Sequence, residues 1–313
     1  MVKYQKIAFL FPGQGAQYPG MTKDFIENFS AARLTLEEAD DLLERRISEL
    51  ILNGPEKLLT QTANSQVGIF IASTAILRVV QELFNIQPAV CAGLSLGEYV
   101  ALTAADYISF IHCLPIVQHR GTFMNEAAEK TQGTMAVVIG LEAQVVEEMV
   151  KELQLPQDLW VANYNCPGQV VISGTLKGIE AGTGAAQKRG AKRVLPLSVQ
   201  GAFHSGLMQK AEYRLASYIE SMPLKKGNAQ LVMNVPGAFV NELDQIKQYL
   251  IQQVTHSVRW EQGIRAMDQQ GVDLYIEFGP GQTLSGMNKR MVQVPTINID
   301  KVEDLDKLAQ ELS

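Results

Sequence analysis

The sequence has 313 residues, of which 46% are apolar and 19% charged, and a net charge of −6. That balance suits a soluble globular chain long enough for one large or two modest domains. No Lys/Arg cluster stands out, so neither nucleic acid nor an anionic membrane surface is an expected partner.

Cys91, Cys113 and Cys166 are widely spaced and odd in number. They form no CxxC or Cys/His ligand spacing, so neither a disulfide framework nor a metal site is expected, and reduced cytoplasmic thiols are the reading. The N-terminal apolar run is too short for a secretory signal. The most apolar long stretch, 67–80, carries Arg78 and hydroxyl residues and reads as a buried helix.

In chain order, residues 6–11 read as a buried strand running into Pro12-Gly-Gln-Gly-Ala-Gln17. The glycine spacing fits neither a dinucleotide fingerprint nor a P-loop. The loop is either a tight strand-to-helix turn or a cradle of backbone N–H groups around Gln14. Residues 22–29 and 31–52 have helical periodicity, with a stop at Asn53-Gly-Pro55. A short helix at 56–60 follows. Asn64-Ser65 is a candidate cap for a helix over 66–84.

Residues 86–91 read as a short strand leading into Gly93-Leu-Ser-Leu-Gly97 and a helix. Strand, Gly-x-Ser-x-Gly and helix form the nucleophile-elbow pattern. A serine on so sharp a turn is strained, and Cβ atoms two residues either side would crowd it. The turn lifts the Ser95 hydroxyl out of the sheet. It also sets the Leu96 N–H at a helix N-terminus, where it can donate to a developing oxyanion. A helix over 109–125 contains Pro115 and carries His119-Arg-Gly121 in its back half.

After residue 130 the pattern changes. Strand 134–141, helix 143–153, strands 159–165 and 169–173, helix 175–189 and strand 192–199 make β-α-β-β-α-β, the ferredoxin-like arrangement. Gly178, Gly182 and Gly184 predict that its second helix is short or irregular. The domain reading is a discontinuous larger α/β body, 1–130 and 200–313, with 131–199 inserted as a small subdomain. Helices at 206–221, 244–254, 258–269, 283–292 and 303–312 alternate with strands at 231–235, 272–278 and 294–299. Such alternation implies a mainly parallel sheet covered on both faces.

A nucleophilic serine needs a base. His112 and His119 share a helix face and His256 lies in a polar turn, places where structural or solvated histidines are common. His204 sits in a Gly/Ser-bounded loop downstream of the serine, in the hydrolase order. Asp106, Glu126, Glu142 and Asp158 are available as a third member, though none lies in a convincing strand-end loop. A dyad whose histidine is oriented by a carbonyl oxygen is equally open. Arg120 reads either as a surface arginine or as a guanidinium fork for a substrate carboxylate.

The assembled motifs resemble the malonyl-CoA:acyl carrier protein transacylase family, which includes acyltransferase domains of polyketide synthases. They are Phe11-Pro-Gly-Gln-Gly-Ala-Gln17, Gly93-Leu-Ser-Leu-Gly-Glu-Tyr99, Arg120-Gly-x-x-Met124, the stretch from Asn163 to Gly174, Gly201-Ala-Phe-His-Ser205, Gln253 before Val258-Arg-Trp260, and Glu277-Phe-Gly-Pro-Gly281. The resemblance covers nearly the whole chain. It implies a hydrolase-like large domain, a ferredoxin-like small domain and an active site in the cleft between them.

The resemblance also implies roles. Ser95 looks like the nucleophile, His204 like its base, and Gln14 and Leu96 like oxyanion donors through backbone N–H. Arg120 looks like the partner of the malonyl carboxylate. Gln253 stands where the family orients the histidine with a main-chain carbonyl. Asn165 lines the acyl pocket, and Phe203 resembles the malonyl-type signature. No metal or redox cofactor is implied; the partners are a coenzyme A thioester and an acyl carrier protein. Leu94 replaces a usual histidine, and Ala16 and Cys166 replace common serines. A thioester hydrolase on the same fold, or a non-catalytic carrier-binding module, are the rival readings.

Overall fold

The computed structural model describes residues 3–199 and 201–313. Residues 1, 2 and 200 lie outside these, including the position expected to open the second segment of the larger domain. The strands are β1 (Ile7–Phe11), β2 (Val90–Gly93), β3 (Thr134–Ile139), β4 (Leu159–Cys166), β5 (Gln169–Gly174), β6 (Arg193–Pro196), β7 (Gln230–Met233), β8 (Ala238–Val240), β9 (Leu274–Phe278) and β10 (Thr296–Ile299). They form two sheets, ordered β10-β9-β1-β2-β7-β8 and β4-β5-β3-β6.

The first sheet is parallel except for β8, which pairs antiparallel with β7. Its central strand β1 is apolar at every position because both faces are covered. Phe9 and Phe11 enter one core cluster, Ala8 and Leu10 the other. Register pairs Phe11 with Gly93 and Leu10 with Glu277. The carboxyl ends of β1, β2 and β9 therefore lie side by side. The Gly-rich loop, the Ser95 turn and the Gly279-Pro-Gly281 loop emerge together at that end, where open α/β sheets bind ligands.

The helix Thr62–Phe84 is long and apolar enough to cross a membrane, and it lies in the core. It packs between the helices Ser30–Leu43 and Phe110–Thr131, with Phe70 stacked on Phe110 at 5.5 Å between ring centroids. Arg78, the one charge in its second half before Glu82, reaches out to Glu38 at 2.7 Å.

The second sheet is antiparallel, in the strand order that the β-α-β-β-α-β reading requires. The helices Ala143–Glu152 and Leu176–Lys188 close one face, with Val146 and Met149 of the first packed in one cluster with Val138, Val170 and Ile172 of the sheet. Residues of alternate parity on the same strands, among them Met135, Val137 and Val171, line a cleft against the first sheet. Backbone hydrogen bonds join the two bodies beside it. Tyr164 N–H donates to the Val258 carbonyl at 2.9 Å, and Val258 N–H to Ala162 at 2.8 Å.

Several sequence expectations need correction. The helix expected over 31–52 is two helices, Ser30–Leu43 and Ile47–Asn53, because Glu44 adopts φ 50° and Asp40 turns to accept the Ser48 N–H. Asn64 and Ser65 lie inside the Thr62–Phe84 helix and do not cap it. The strand expected at 86–91 is Val90–Gly93, carried closer to the elbow. Strand β8 has no forecast; it follows Pro236-Gly237 as the return arm of a hairpin.

The glycine-rich helix Leu176–Lys188 is continuous, not irregular. Its N-terminus is capped by the Thr175 hydroxyl, which accepts the Gly178 N–H at 3.0 Å. Its glycines are packing devices. A Cβ on Gly178 would overlap the Asp158 carbonyl, and one on Gly182 would come within 2.9 Å of Ile172. Tertiary closeness outweighs the propensity penalty. Gly184 meets nothing within 4 Å. Gly184→Ala is expected to stabilise the protein by up to ~1 kcal/mol, and Gly178→Ala to destabilise it by about 2 kcal/mol or more. Denaturant unfolding checks both; equal effects would refute the packing account.

Candidate active site

Ser95 sits between β2 and the helix Gly97–Ala104 at φ 54°, a left-handed backbone that costs a non-glycine residue about 1 kcal/mol. Three glycines make the turn feasible. A Cβ on Gly93 would overlap the Gly97 backbone, and one on Gly97 would overlap the Phe11 carbonyl. A Cβ on Gly13 would lie 2.5 Å from the Leu94 carbonyl oxygen. Asn234, at the end of β7, braces the turn. Its Oδ1 accepts the Ser95 N–H at 2.6 Å and its Nδ2 donates to the Gly93 carbonyl at 2.8 Å.

His204 comes from the opposite wall. Its Nε2 lies 2.8 Å from Ser95 Oγ, and its Nδ1 lies 2.7 Å from the Gln253 carbonyl oxygen. A carbonyl can only accept, so the proton resides on Nδ1 and Nε2 faces the serine as an acceptor. His204 also has a positive φ, 56°. The next residue fixes its loop: Ser205 Oγ donates to the Ala202 carbonyl and accepts the Leu207 N–H. Burial, and then the nearby Arg120 charge, lower the imidazole to about 4. It is therefore neutral, and basic at Nε2, at physiological pH.

Arg120 is not a surface residue: it is fully buried within the Phe110–Thr131 helix. Its Nη2 donates to Ser95 Oγ at 3.0 Å and to Gln253 Oε1 at 2.7 Å, and its Nη1 donates to Gln66 Oε1 at 2.5 Å. Its Nε has no partner, and among the described residues no carboxylate forms an ion pair with it. Desolvation lowers its proton affinity. A buried guanidinium without a counter-ion is costly, and an arriving anion relieves that cost.

The nearest buried acid is Glu98, in the first turn of the elbow helix. One of its oxygens accepts the Asn234 N–H and the other the Gln253 side-chain amide. Burial raises its carboxyl to about 8 even with those two donors and Arg120 pulling the other way. Donors on both oxygens fit the ionised form, so the hydrogen bonds favour the carboxylate. The Gln253 side chain thus stands between a buried anion and a buried cation, and it also donates to the Ser95 carbonyl at 2.9 Å.

The cleft above Ser95 encloses about 240 Å³. Gln14, Leu94, Asn165, Phe203 and His204 line it with Ser95 and Gln66. Neither the Gln14 nor the Leu96 N–H is taken up by another group among the described residues, so both are free to donate. The buried Asn165 Oδ1 has no partner either. Glu277 caps the helix Thr283–Asn288 through the Leu284 and Ser285 N–H groups, which sets Thr283 and Met287 on the cleft rim. Gly279 lets that loop close on Pro12, to which a Cβ would approach within 2.7 Å.

All eight residues singled out for the site are therefore in or around one cleft. The remaining histidines are elsewhere. His112 is exposed against Ser109, His119 stacks on Tyr218, and His256 is exposed at its own helix end. Of the acids considered for a triad, Asp106 pairs with Lys225, Glu126 with Arg214, and Asp158 with the Thr175 hydroxyl. Sequence reasoning missed Gln66, Glu98 and Asn234. Glu98 lay within the quoted elbow motif, and Asn234 at the polar end of an apolar strand. Gln66 had no signal beyond its place at the start of the long helix.

Comparison with known proteins agrees with this geometry. Residues 8–301 match the family described as acyl transferase domain. The Bacillus subtilis (strain 168) malonyl CoA-acyl carrier protein transacylase is 41% identical over 312 residues, covering 98% of this chain and 97% of that one. The Coxiella burnetii malonyl CoA-acyl carrier protein transacylase superposes with a TM-score of 0.95 at 32% identity, covering 100% and 99% of the two chains. A malonyl-transacylase solved in complex with its type II PKS acyl-carrier protein gives a TM-score of 0.94 at 35% identity, covering 98% and 100%. The chain belongs to the malonyl CoA-acyl carrier protein transacylase family of acyltransferases.

Proposed function

We propose that this protein transfers the malonyl group of malonyl-CoA to the phosphopantetheine thiol of an acyl carrier protein, through an acyl-enzyme on Ser95, in fatty-acid or polyketide synthesis in the cytoplasm. The observation that carries the reading is the buried Arg120 guanidinium, without a counter-ion and hydrogen-bonded to the nucleophile's own oxygen. A substrate with a free carboxylate two bonds beyond its thioester carbonyl satisfies both groups at once.

In the first half-reaction Ser95 Oγ attacks the thioester carbonyl as its proton passes to His204 Nε2. Gln14 and Leu96 N–H groups stabilise the tetrahedral oxyanion, each worth about 3 kcal/mol. The C–S bond breaks and the proton on Nε2 goes to the departing coenzyme A sulfur. Arg120 Nη2 releases the serine oxygen and grips the malonyl carboxylate. In the second half-reaction the carrier's thiol gives its proton to His204 and attacks the serine ester. The C–O bond breaks and Ser95 recovers its proton. Gln253 holds His204 in the working tautomer throughout. Asn165 and Phe203 bound the acyl pocket, and the Phe203 ring disfavours a 2-methyl branch. A depression of about 520 Å³ beside the cleft, sharing Leu197 and Val199 with it, offers a path for the pantetheine arm.

Intact-protein mass after brief exposure to malonyl-CoA is expected to show one malonyl adduct on the wild type and none on Ser95→Ala, with discharge by phosphopantetheinylated carrier. Free malonate without an adduct would point to a hydrolase. No adduct and no turnover would point to a binding module.

Arg120→Ala is expected to slow malonyl loading about 100-fold, the effect of ~3 kcal/mol from a lost buried charge contact, and to slow acetyl loading far less. Equal losses would remove Arg120 as the clamp.

The single-turnover rate of malonyl loading should stay level from neutral pH towards 5 and fall with an apparent pKa near 4, where His204 protonates. The folded value lies below the unfolded one of about 6.5. The unfolded chain therefore takes the proton first, and this group's share of stability, present above about 6.5, is lost as pH falls towards 4. A limb near 6.5 would contradict the assignment.

A further inference from the structure

Glu98 touches neither the nucleophile's oxygen nor the cleft, yet two supports of the site are bonded to it. Asn234, whose N–H it accepts, fixes the Ser95 N–H and the Gly93 carbonyl. Gln253, whose side-chain amide it accepts, carries the carbonyl that orients His204 and the oxygen that holds Arg120.

The direction of the Gln253 amide is decisive. With the Glu98 carboxylate and the Ser95 carbonyl as acceptors and a guanidinium as donor, only one orientation satisfies all three: nitrogen to Glu98 and Ser95, oxygen to Arg120. We propose that Glu98 is a positioning residue, and that its carboxylate orients the Gln253 side chain so that its oxygen holds the Arg120 clamp on the malonyl group. The proposal rests on the malonyl-transfer reading above and adds the residue that gives that reading its selectivity.

The alternative is that Glu98 serves only the fold, as an acidic residue in the first turn of a helix. The two roles separate in Glu98→Gln. The Asn234 donor is a backbone N–H and cannot turn, so the new amide keeps its oxygen there and presents its nitrogen to Gln253. That nitrogen then faces the Gln253 nitrogen, and the Gln253 amide escapes it only by swinging away from its place or by turning its nitrogen on Arg120 and its oxygen on the Ser95 carbonyl. Two donors face each other and the clamp is lost. The Gln253 main-chain carbonyl on His204 and the Asn234 brace on Ser95 are untouched. A purely structural role predicts no such discrimination between acyl groups.

The test measures loading of Ser95 from malonyl-CoA and from acetyl-CoA by intact-protein mass, on the full chain. Glu98→Gln is expected to lower the malonyl-to-acetyl rate ratio at least tenfold. The conservative variant Glu98→Asp keeps a carboxylate on the Gln253 side and gives Arg120 no direct ion-pair partner, and its ratio should stay within about threefold of the wild type. An unchanged ratio in Glu98→Gln, or a Glu98→Asp variant as unselective as Glu98→Gln, overturns the proposal. If Glu98→Gln does not fold, Glu98→Ala takes its place, with the same fall expected and an unchanged ratio overturning the proposal. A wild type that takes no malonyl group would instead refute the transfer reading itself.

Discussion

The site depends on a close approach of backbone to backbone at the end of the parallel sheet. The tips of β1 and β2 and the start of the elbow helix come so near that Gly13, Gly93 and Gly97 admit no side chain. That closeness holds Ser95 in a left-handed conformation and keeps the Gln14 and Leu96 N–H groups near the serine. Because the strain is imposed by three separate segments, the turn has no simple relaxation. Asn234 adds a side-chain brace from the neighbouring strand. The hydroxyl is presented by the sheet and not by the mobility of a loop.

Charge is handled with the same economy. Arg120 and Glu98 are both buried, yet they are kept apart by the Gln253 amide and form no ion pair. A direct pair would quench the guanidinium and leave little affinity for an incoming carboxylate. Full separation would leave two isolated charges in a low-dielectric interior. An intervening dipole stabilises each charge in part and leaves the guanidinium hydrogen-bonding capacity for substrate. The same residue's main-chain carbonyl fixes the His204 tautomer, so the base and the clamp share one scaffold.

The sequence made the outline of the site legible. Ser95 could be read because glycines flanking a serine between strand and helix have a direct steric cause, and His204 because its loop interrupts regular structure. The alternating strand and helix pattern gave both sheets. Arg120 and Gln253 needed the family resemblance, since the sequence alone left Arg120 equally readable as a surface arginine and offered no cue at Gln253. Glu98 and Asn234 were illegible as partners because they lie 136 residues apart, and nothing local marks their hydrogen bond. The glycine-rich helix was misread for a related reason: propensity is local, whereas the fit of Gly178 against Asp158 belongs to the packed state. The break near Glu44 shows the same limit, since the periodicity runs through a turn that Asp40 stabilises by reaching forward to Ser48.

The paired backbone bonds between β4 and Val258 have a mechanical meaning. They sew the small sheet to the segment that follows Gln253, on one flank of the cleft. The flank at Leu197 and Val199 has no such seam in the hydrogen bonds of the described residues. The seam ties the small sheet to the larger body along the Val258 flank, and the histidine's carbonyl partner lies a few residues before it in the chain, so the base and the sheet that walls its cleft are held by one connected stretch of backbone.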